Sequence, residues 1–146
     1  MLTSSQGEVL SLFVTPPTQS RPIAQECISV DEQGIIGDKH YNKISERTIL
    51  LTSIESYRLA QQYEITMPYS SLGENILLDL NPYALPLGTR FSLGSAILEI
   101  SQHCTLCKHL ATIDRRIPKL LKNDRGIFAK VIQEGEIARG DRLYLL

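Results

Sequence analysis

Short apolar runs that end at proline, glycine or aspartate dominate the hydrophobic pattern of the chain. The first run, Glu8 to Val14, stops at Pro16-Pro17, and the second, Ile23 to Val30, is followed by Asp31 to Gly34. Proline cannot donate to a sheet ladder, and glycine and aspartate favour turns, so both runs are predicted to be strands followed by turns. Arg47 to Thr52 is almost continuously apolar, which predicts a short strand buried on both faces.

Two segments have helical patterns. Thr52-Ser-Ile-Glu55 matches a capping box, and the apolar spacing after it predicts a helix that ends before Pro68. Cys107 to Asn123 also has helical spacing, but Pro118 interrupts it, because proline breaks the hydrogen-bond pattern of a helix interior. Two short helices are therefore predicted in that segment.

The remaining apolar runs are short and lie at hairpin spacing. They predict further strands, at Ser71 to Leu80, Phe91 to Leu93, Ala96 to Ser101, Ile127 to Gln133 and Arg142 to Leu146. Seven or eight short strands against two or three short helices predict a mainly β fold, with the strands arranged as a barrel. A length of 146 residues with 42% hydrophobic residues suits one domain that spans residues 1–146.

Composition narrows the classes of protein. A net charge of -1 argues against a general attraction to nucleic acid or to membranes. No apolar run approaches the roughly 18 residues of a membrane span, and the N-terminus lacks the pattern of a signal peptide, so a cytoplasmic protein is expected. Three cysteines, an odd number without an export signal, make a disulfide framework improbable and thiol chemistry plausible.

The densest group of reactive side chains is Ser101 to His109, which contains two thiols and two imidazoles. Three interpretations compete. Cys104 and Cys107 are small buried hydrophobes, or they bind zinc with the histidines, or one of them is a reactive thiol. If Cys107 begins the following helix, the helix N-terminus and Lys108 favour its thiolate.

Three other features carry charge or polar groups. Lys108 to Arg125 contains six basic and two acidic residues, a local charge of +4, which indicates either a solvated face or a rim that binds anions. Gly37 to Tyr41 offers Lys39 and His40 on a glycine-flanked turn, and Gly73 to Asn75 interrupts a predicted strand. Both are read either as turn or bulge chemistry or as polar groups directed at a ligand.

Four segments in this order resemble the MOSC domain, the family named for the C-terminal domain of molybdenum cofactor sulfurases. They are Gly34 to His40, Leu72 to Ile76, Leu87 to Gln102 leading to Cys107, and Gly126 to Leu143. The family has a cysteine after a Gln-Pro-Arg-like stretch, and that cysteine aligns with Cys107. His103-Cys104 stands where the family has Pro-Arg, so an arginine expected near the cofactor is missing.

The resemblance implies a β-barrel that binds molybdenum cofactor, with Cys107 as the catalytic residue that carries a persulfide or as a ligand of molybdenum. Lys39, His40, Arg47 and Asn75 are the expected cofactor-binding residues. Cys104 adds a second thiol, which would resolve a persulfide as a disulfide. The pyridoxal-phosphate desulfurase domain of the long sulfurases has no room in 146 residues, so a separate cysteine desulfurase is the expected partner.

Two alternatives remain at this point. One is a molybdenum-dependent reductase of N-hydroxylated compounds, with Cys107 as a permanent metal ligand and a separate protein as electron donor. The other is a barrel without catalytic activity that binds a ligand or a protein, in which Cys107 is merely buried. In the sulfur-transfer interpretation a partner protein must supply sulfur, and in the reductase interpretation a partner protein must supply electrons.

Overall fold

The computed structural model describes residues 5–44, 47–104, 112–122 and 126–146. Within them, α1 spans Ile54–Gln62, α2 spans Ile117–Leu120, and a short 3-10 helix spans Pro82–Ala84. The strands in chain order are β1 (Gly7–Val14), β2 (Ile23–Gln25), β3 (Cys27–Asp31), β4 (Gly34–Ile35), β5 (Ile49–Ser53), β6 (Ile76–Leu78), β7 (Arg90–Leu93), β8 (Ala96–His103), β9 (Ile127–Gln133), β10 (Gly135–Ala138) and β11 (Arg142–Leu145).

Seven strands close into a barrel. Their order is β11-β7-β8-β9-β5-β6-β1, and pairing of β1 with β11 completes the ring. β5 and β6 pair in parallel, whereas the other barrel pairs are antiparallel. β2 extends the sheet beside β1, and β10, β3 and β4 form a second, smaller sheet. The mainly β barrel with a few short helices is therefore confirmed.

The central strand β5 is buried along its whole length, as its continuous apolar run predicts. Ile49 and Leu51 belong to the core inside the barrel, whereas Leu50 packs on the other face with Cys104 and Phe128. α1 covers a neighbouring part of the outer face, where Tyr57 packs in a second apolar cluster with Leu77, Ile117 and Leu121. Both faces of the sheet are thus covered here.

α1 begins one residue later than the capping box indicates. Thr52 is still part of β5, and the cap is Ser53, whose hydroxyl oxygen accepts a hydrogen bond from the Glu55 N–H at 3.0 Å. The helix ends at Gln62, before Pro68 as predicted. No helix among the described residues is long and apolar enough to cross a membrane.

Two predicted strands are wrong in extent. Ile23 to Val30 is two strands in different sheets, because β2 pairs with β1 while β3 pairs with β10 and β4. Of Ser71 to Leu80 only β6 is a strand, because the chain turns before it: the Gly73 N–H donates to the Ser70 carbonyl oxygen, and Gly73 has a φ of 84°, which a strand does not allow. In the predicted helical segment Cys107 to Asn123, residues 107–111 and 123 lie outside the described residues, and α2 begins next to Pro118, which lies in its first turn.

Candidate functional site

Asp38 is the centre of a hydrogen-bond network at one end of the barrel. It follows β4, and its side chain is almost completely buried. Oδ1 accepts hydrogen bonds from the Thr15 N–H at 2.9 Å and from Asn75 Nδ2 at 3.4 Å. Oδ2 accepts from the His40 N–H at 3.0 Å and lies 3.2 Å from His40 Nδ1. One carboxylate thereby ties together the chain after β1, the turn after β4 and the segment before β6.

The same hydrogen bonds decide the charge of Asp38. Burial disfavours the charged carboxylate, but the donors from His40 and Thr15 outweigh it, and the pKa of Asp38 lies below its ordinary value. The carboxylate is therefore charged at neutral pH. Its charge holds the exposed imidazole of His40 at the rim of the site.

Asn75 has a structural role in this network. Its Oδ1 accepts from the Leu50 N–H at 3.0 Å, and Nδ2 donates to the Phe13 carbonyl oxygen at 3.2 Å as well as to Asp38. The amide thus links β1, β5 and the turn after β4. Both N–H donors of the side chain are engaged within the protein, so any contact to a ligand must use the remaining capacity of its oxygen.

Glu74 lies next to this network with its carboxyl group buried. Tyr57 donates a short hydrogen bond from its hydroxyl to Oε2, and the Ser70 N–H donates to the same oxygen at 3.2 Å. Oε1 has no hydrogen-bond partner among the described residues. Burial raises the pKa of Glu74 above its ordinary value, despite the Tyr57 and Ser70 donors. Burial, and then the nearby Glu74 charge and hydrogen bond, raise the pKa of Tyr57 as well.

A pocket of about 250 Å³ opens over the network, and we call it the Asp38 pocket. It contains three of the four predicted cofactor-binding residues, Lys39, His40 and Asn75. The Lys39 N–H donates to the Thr15 carbonyl oxygen at 2.8 Å, which fixes the backbone of the turn at the pocket wall. The other polar residues that line the Asp38 pocket are Thr15, Ser20, Asp38, Ser70 and Glu74.

Arg47, the fourth predicted residue, lies in a separate pocket of about 220 Å³, which we call the Arg47 pocket. It is lined by His40, Lys43, Ile44, Arg47 and Phe128, so it shares His40 with the Asp38 pocket. The Arg47 guanidinium lies over the Phe128 ring, 5.2 Å from its centroid, as a cation–π contact requires. The four residues therefore divide between two adjoining pockets.

Cys107, the predicted catalytic residue and molybdenum ligand, lies outside the described residues, as does His109. Cys104 is buried and packs with Phe128, which lines the Arg47 pocket. His103 stacks on Tyr83, with ring centroids 4.4 Å apart. Among residues 5–44, 47–104, 112–122 and 126–146, no three or more His, Cys, Asp or Glu side chains are grouped so as to hold a metal ion.

Sequence reasoning did not identify Asp38 and Glu74 as centres of the site. Each lies in a segment with polar candidates, Gly37 to Tyr41 and Gly73 to Asn75, but neither acid was among the predicted site residues. What distinguishes these two acids is that each lies a few positions from a buried strand and that both strands bring them to the same end of the barrel. That distinction requires the strand order, which a single sequence does not provide.

Comparison with known proteins places the site in context. The family model for the MOSC domain matches residues 37–144, a range that contains all five predicted site residues. No curated protein matches the sequence. The structure of the YUAD protein from Bacillus subtilis is similar over 99% of this chain and 98% of that chain, with a TM-score of 0.84 and 17% sequence identity.

Two YiiM structures are also similar. The YiiM structure from Geobacillus stearothermophilus matches with a TM-score of 0.74 and 22% identity, over 96% of this chain and 75% of that chain. The one from Escherichia coli matches with a TM-score of 0.71 and 20% identity, over 95% and 69%. At these identities the similarity is one of fold.

Proposed function

Because the chain belongs to the MOSC domain family, which is associated with molybdenum cofactor, we propose that it binds this cofactor and handles sulfur through Cys107. The observation that carries the proposal is the Asp38 pocket, which brings Lys39, His40 and Asn75 together inside the family's matched range. The cofactor, when bound, supplies a molybdenum centre on a phosphorylated pterin that accepts or carries sulfur. Whether the Asp38 pocket holds this cofactor depends on the residues that line the pocket.

The exposed part of the Asp38 pocket lining suits an anionic ligand rich in polar groups, whereas the two acids of the lining, Asp38 and Glu74, are buried. The exposed Lys39 and His40 side chains offer positive or donor groups to a phosphate, and Ser20 and Ser70 offer hydroxyls to ring nitrogen and oxygen atoms. Asp38 holds the imidazole of His40 in place through Nδ1, which leaves Nε2 directed away from the carboxylate. A charge-assisted hydrogen bond to phosphate is stronger than one between neutral groups.

Cys107 transfers the sulfur in this proposal. Its thiolate attacks the outer sulfur of a persulfide on a partner cysteine desulfurase, and the partner's cysteine leaves as a thiolate. The S–S bond of the donor breaks while a new S–S bond forms on Cys107, so no net oxidant is consumed. Lys108, the next residue in the sequence, favours the thiolate.

Cofactor content tests the binding half of the proposal. The chain is produced in a host that makes the cofactor, and molybdenum and pterin are measured per chain, for the wild type and for His40→Ala with Lys39→Met. We expect both contents to be stoichiometric in the wild type and to fall together in the double variant. Lys130→Met is the control, since Lys130 is paired with Glu99 on the barrel surface. A wild type without molybdenum and pterin contradicts the proposal.

Mass spectrometry tests the sulfur half. After incubation with a cysteine desulfurase and cysteine, one added sulfur atom is expected on Cys107 and none in Cys107→Ser. Cys27→Ser is the matched control, because Cys27 is exposed and lies on β3, in the smaller sheet. Loss of molybdenum in Cys107→Ser, with no sulfur adduct on the wild type, contradicts sulfur transfer and favours the molybdenum-dependent reductase instead.

A further inference from the structure

The charged residues that line the Arg47 pocket are all basic. Lys43 and Arg47 are cationic, His40 adds an imidazole, and none of the five lining residues is acidic. Among the described residues, neither Lys43 nor Arg47 forms an ion pair, whereas six other lysines and arginines do so with nearby carboxylates. In the part of the chain that the structure describes, Asp38 pairs with His40 alone, so Lys43 and Arg47 repel one another, and an anion between them is favoured.

The cationic groups are held in place by the local backbone and by packing. The Lys43 N–H donates to the His40 carbonyl oxygen at 3.3 Å, and the Arg47 N–H donates to the Ile44 carbonyl oxygen at 2.9 Å. The Phe128 ring supports the Arg47 guanidinium from one side, and Asp38 orients the imidazole of His40. A planar guanidinium held in this way is suited to bind two oxygens of one group at once.

We propose that the Arg47 pocket is an oxyanion site, which binds a phosphate or carboxylate group through His40, Lys43 and Arg47. The apolar side chains of Ile44 and Phe128 complete the pocket, and 58% of Ile44 is exposed, so an apolar portion of the ligand next to its anionic group has a surface to rest on. This inference assigns Lys43 and Phe128, which the proposed function does not use. It does not require the cofactor to be bound.

Two sources of the oxyanion share this chemistry. The pocket adjoins the Asp38 pocket through His40, so the phosphate of a cofactor bound there is one source. The other is the anionic group of a second reactant, since Phe128, which lines the pocket, packs with Cys104, three positions before Cys107 in the sequence. Both sources predict the same oxyanion contacts, and they differ only in whether the bound cofactor fills the pocket.

Titration with inorganic phosphate, followed by nuclear magnetic resonance of backbone amides and arginine side chains, tests the site. Phosphate is expected to shift the signals of residues 39–44, Arg47 and Phe128 in a saturable way. Arg47→Met and Lys43→Met remove one charge each while keeping an apolar stem, so the packing on Phe128 is preserved. Each is expected to weaken phosphate binding by about tenfold, the loss of one charge-assisted hydrogen bond.

Lys130→Met is the control for charge, because it removes a surface cation that is already paired with Glu99, and its affinity for phosphate is expected to match that of the wild type. The inference is overturned if phosphate shifts none of these signals, or if Arg47→Met and Lys43→Met bind it as the wild type does. Repeating the titration on cofactor-loaded protein separates the sources. Blocked binding identifies the cofactor's phosphate as the oxyanion, and retained binding identifies a second reactant.

This test is independent of the proposed function. If the wild type carries no cofactor but binds phosphate through Arg47 and Lys43, the cofactor proposal fails and the oxyanion site stands. If it carries cofactor but the two variants bind phosphate normally, the oxyanion site fails alone.

Discussion

Two buried carboxyl groups at the same end of the barrel, those of Asp38 and Glu74, have opposite protonation behaviour. Each residue is 2% exposed, and the two lie on the wall of one pocket. Asp38 has partners on both oxygens, and its pKa is lowered. Glu74 accepts hydrogen bonds on Oε2 alone among the described residues, and burial raises its pKa.

The comparison shows that burial alone does not decide the charge of an acid. Desolvation opposes ionisation in both groups, and the donors at each oxygen determine whether it prevails. Two of the donors to Asp38 are backbone N–H groups, which the fold fixes in place whatever the side chains do. The pKa of Asp38 is therefore lowered by several donors, the His40 side chain first among them, whereas burial keeps the pKa of Glu74 raised despite the donors from Tyr57 and Ser70.

The largest effect is expected for Asp38→Ala. The substitution leaves the buried Thr15 N–H and an Asn75 N–H without an acceptor, and each such loss costs about 1–3 kcal/mol. We therefore expect the free energy of unfolding to fall by about 3 kcal/mol, measured by denaturant titration at pH 7. Asp79→Ala is the matched control, because Asp79 accepts one exposed hydrogen bond, from the Glu8 N–H. Equal losses in the two variants would show that the network does not stabilise the barrel end.

Tyr57→Phe is expected to have the next largest effect, on the Glu74 side. It removes the hydroxyl that donates to Glu74 and also accepts from the Leu72 N–H at 3.4 Å. A loss of about 1–2 kcal/mol is expected for a buried hydrogen bond whose acceptor stays behind. The double variant with Glu74→Gln gives the coupling between the two side chains. Tyr63→Phe, on an exposed ring, is the control, and a loss as large there would contradict the assignment.

The pH dependence of stability is expected to have opposite signs for the two acids. The unfolded chain holds its proton on Asp38 more tightly than the folded one, so the contribution of Asp38 is present above the ordinary pKa of 3.8 and is lost as the pH falls further. Glu74 holds its proton more tightly in the folded chain than in the unfolded one. Its contribution to stability is therefore present below pH 4.5, its ordinary pKa, and is lost as the pH rises through the raised pKa of the folded state.

Denaturant titrations from pH 3 to pH 8 on Asp38→Asn and Glu74→Gln measure these contributions as differences from the wild type. The stability of Glu74→Gln relative to the wild type is expected to improve as the pH rises above 4.5. The disadvantage of Asp38→Asn is expected to shrink as the pH falls below 3.8. Parallel trends in the two variants would show that the two carboxyls have the same protonation behaviour after all.

The elements of the fold could be predicted where the sequence pattern is local. The uninterrupted run at Arg47 to Thr52 predicted a strand buried on both faces, and β5 is one. The boundary between β2 and β3 was missed, because Ile23 to Val30 has no turn residue that marks the change of sheet. Ser71 to Leu80 was predicted too long, because Gly73, which interrupts the apolar run, ends a turn before β6 instead of lying within a strand.

The candidate site could be predicted in part. The turn that holds Lys39 and His40 and the segment that holds Asn75 were identified, and the structure brings these three residues to one pocket. Their division from Arg47 could not be predicted, because it depends on the position of Phe128 on β9, more than 80 positions along the chain. The roles of Cys107 and of the four cofactor-binding residues stay predictions.

The smallest effect on stability, and the sharpest test of the comparison, is expected for His40→Ala. The imidazole is half exposed, so its loss should lower the free energy of unfolding by less than about 1 kcal/mol. Burial disfavours the charged form of Asp38, and the His40 side chain is the largest of the groups that offset it, so the pKa of Asp38 should rise. A nuclear magnetic resonance titration of the Asp38 carboxyl carbon measures this rise. His40→Gln, whose amide can still donate, should lessen it. If the pKa of Asp38 is unchanged in His40→Ala, the backbone N–H donors alone keep the carboxylate charged. The opposite pKa shifts of Asp38 and Glu74 would then come from the backbone around each acid and from no side chain.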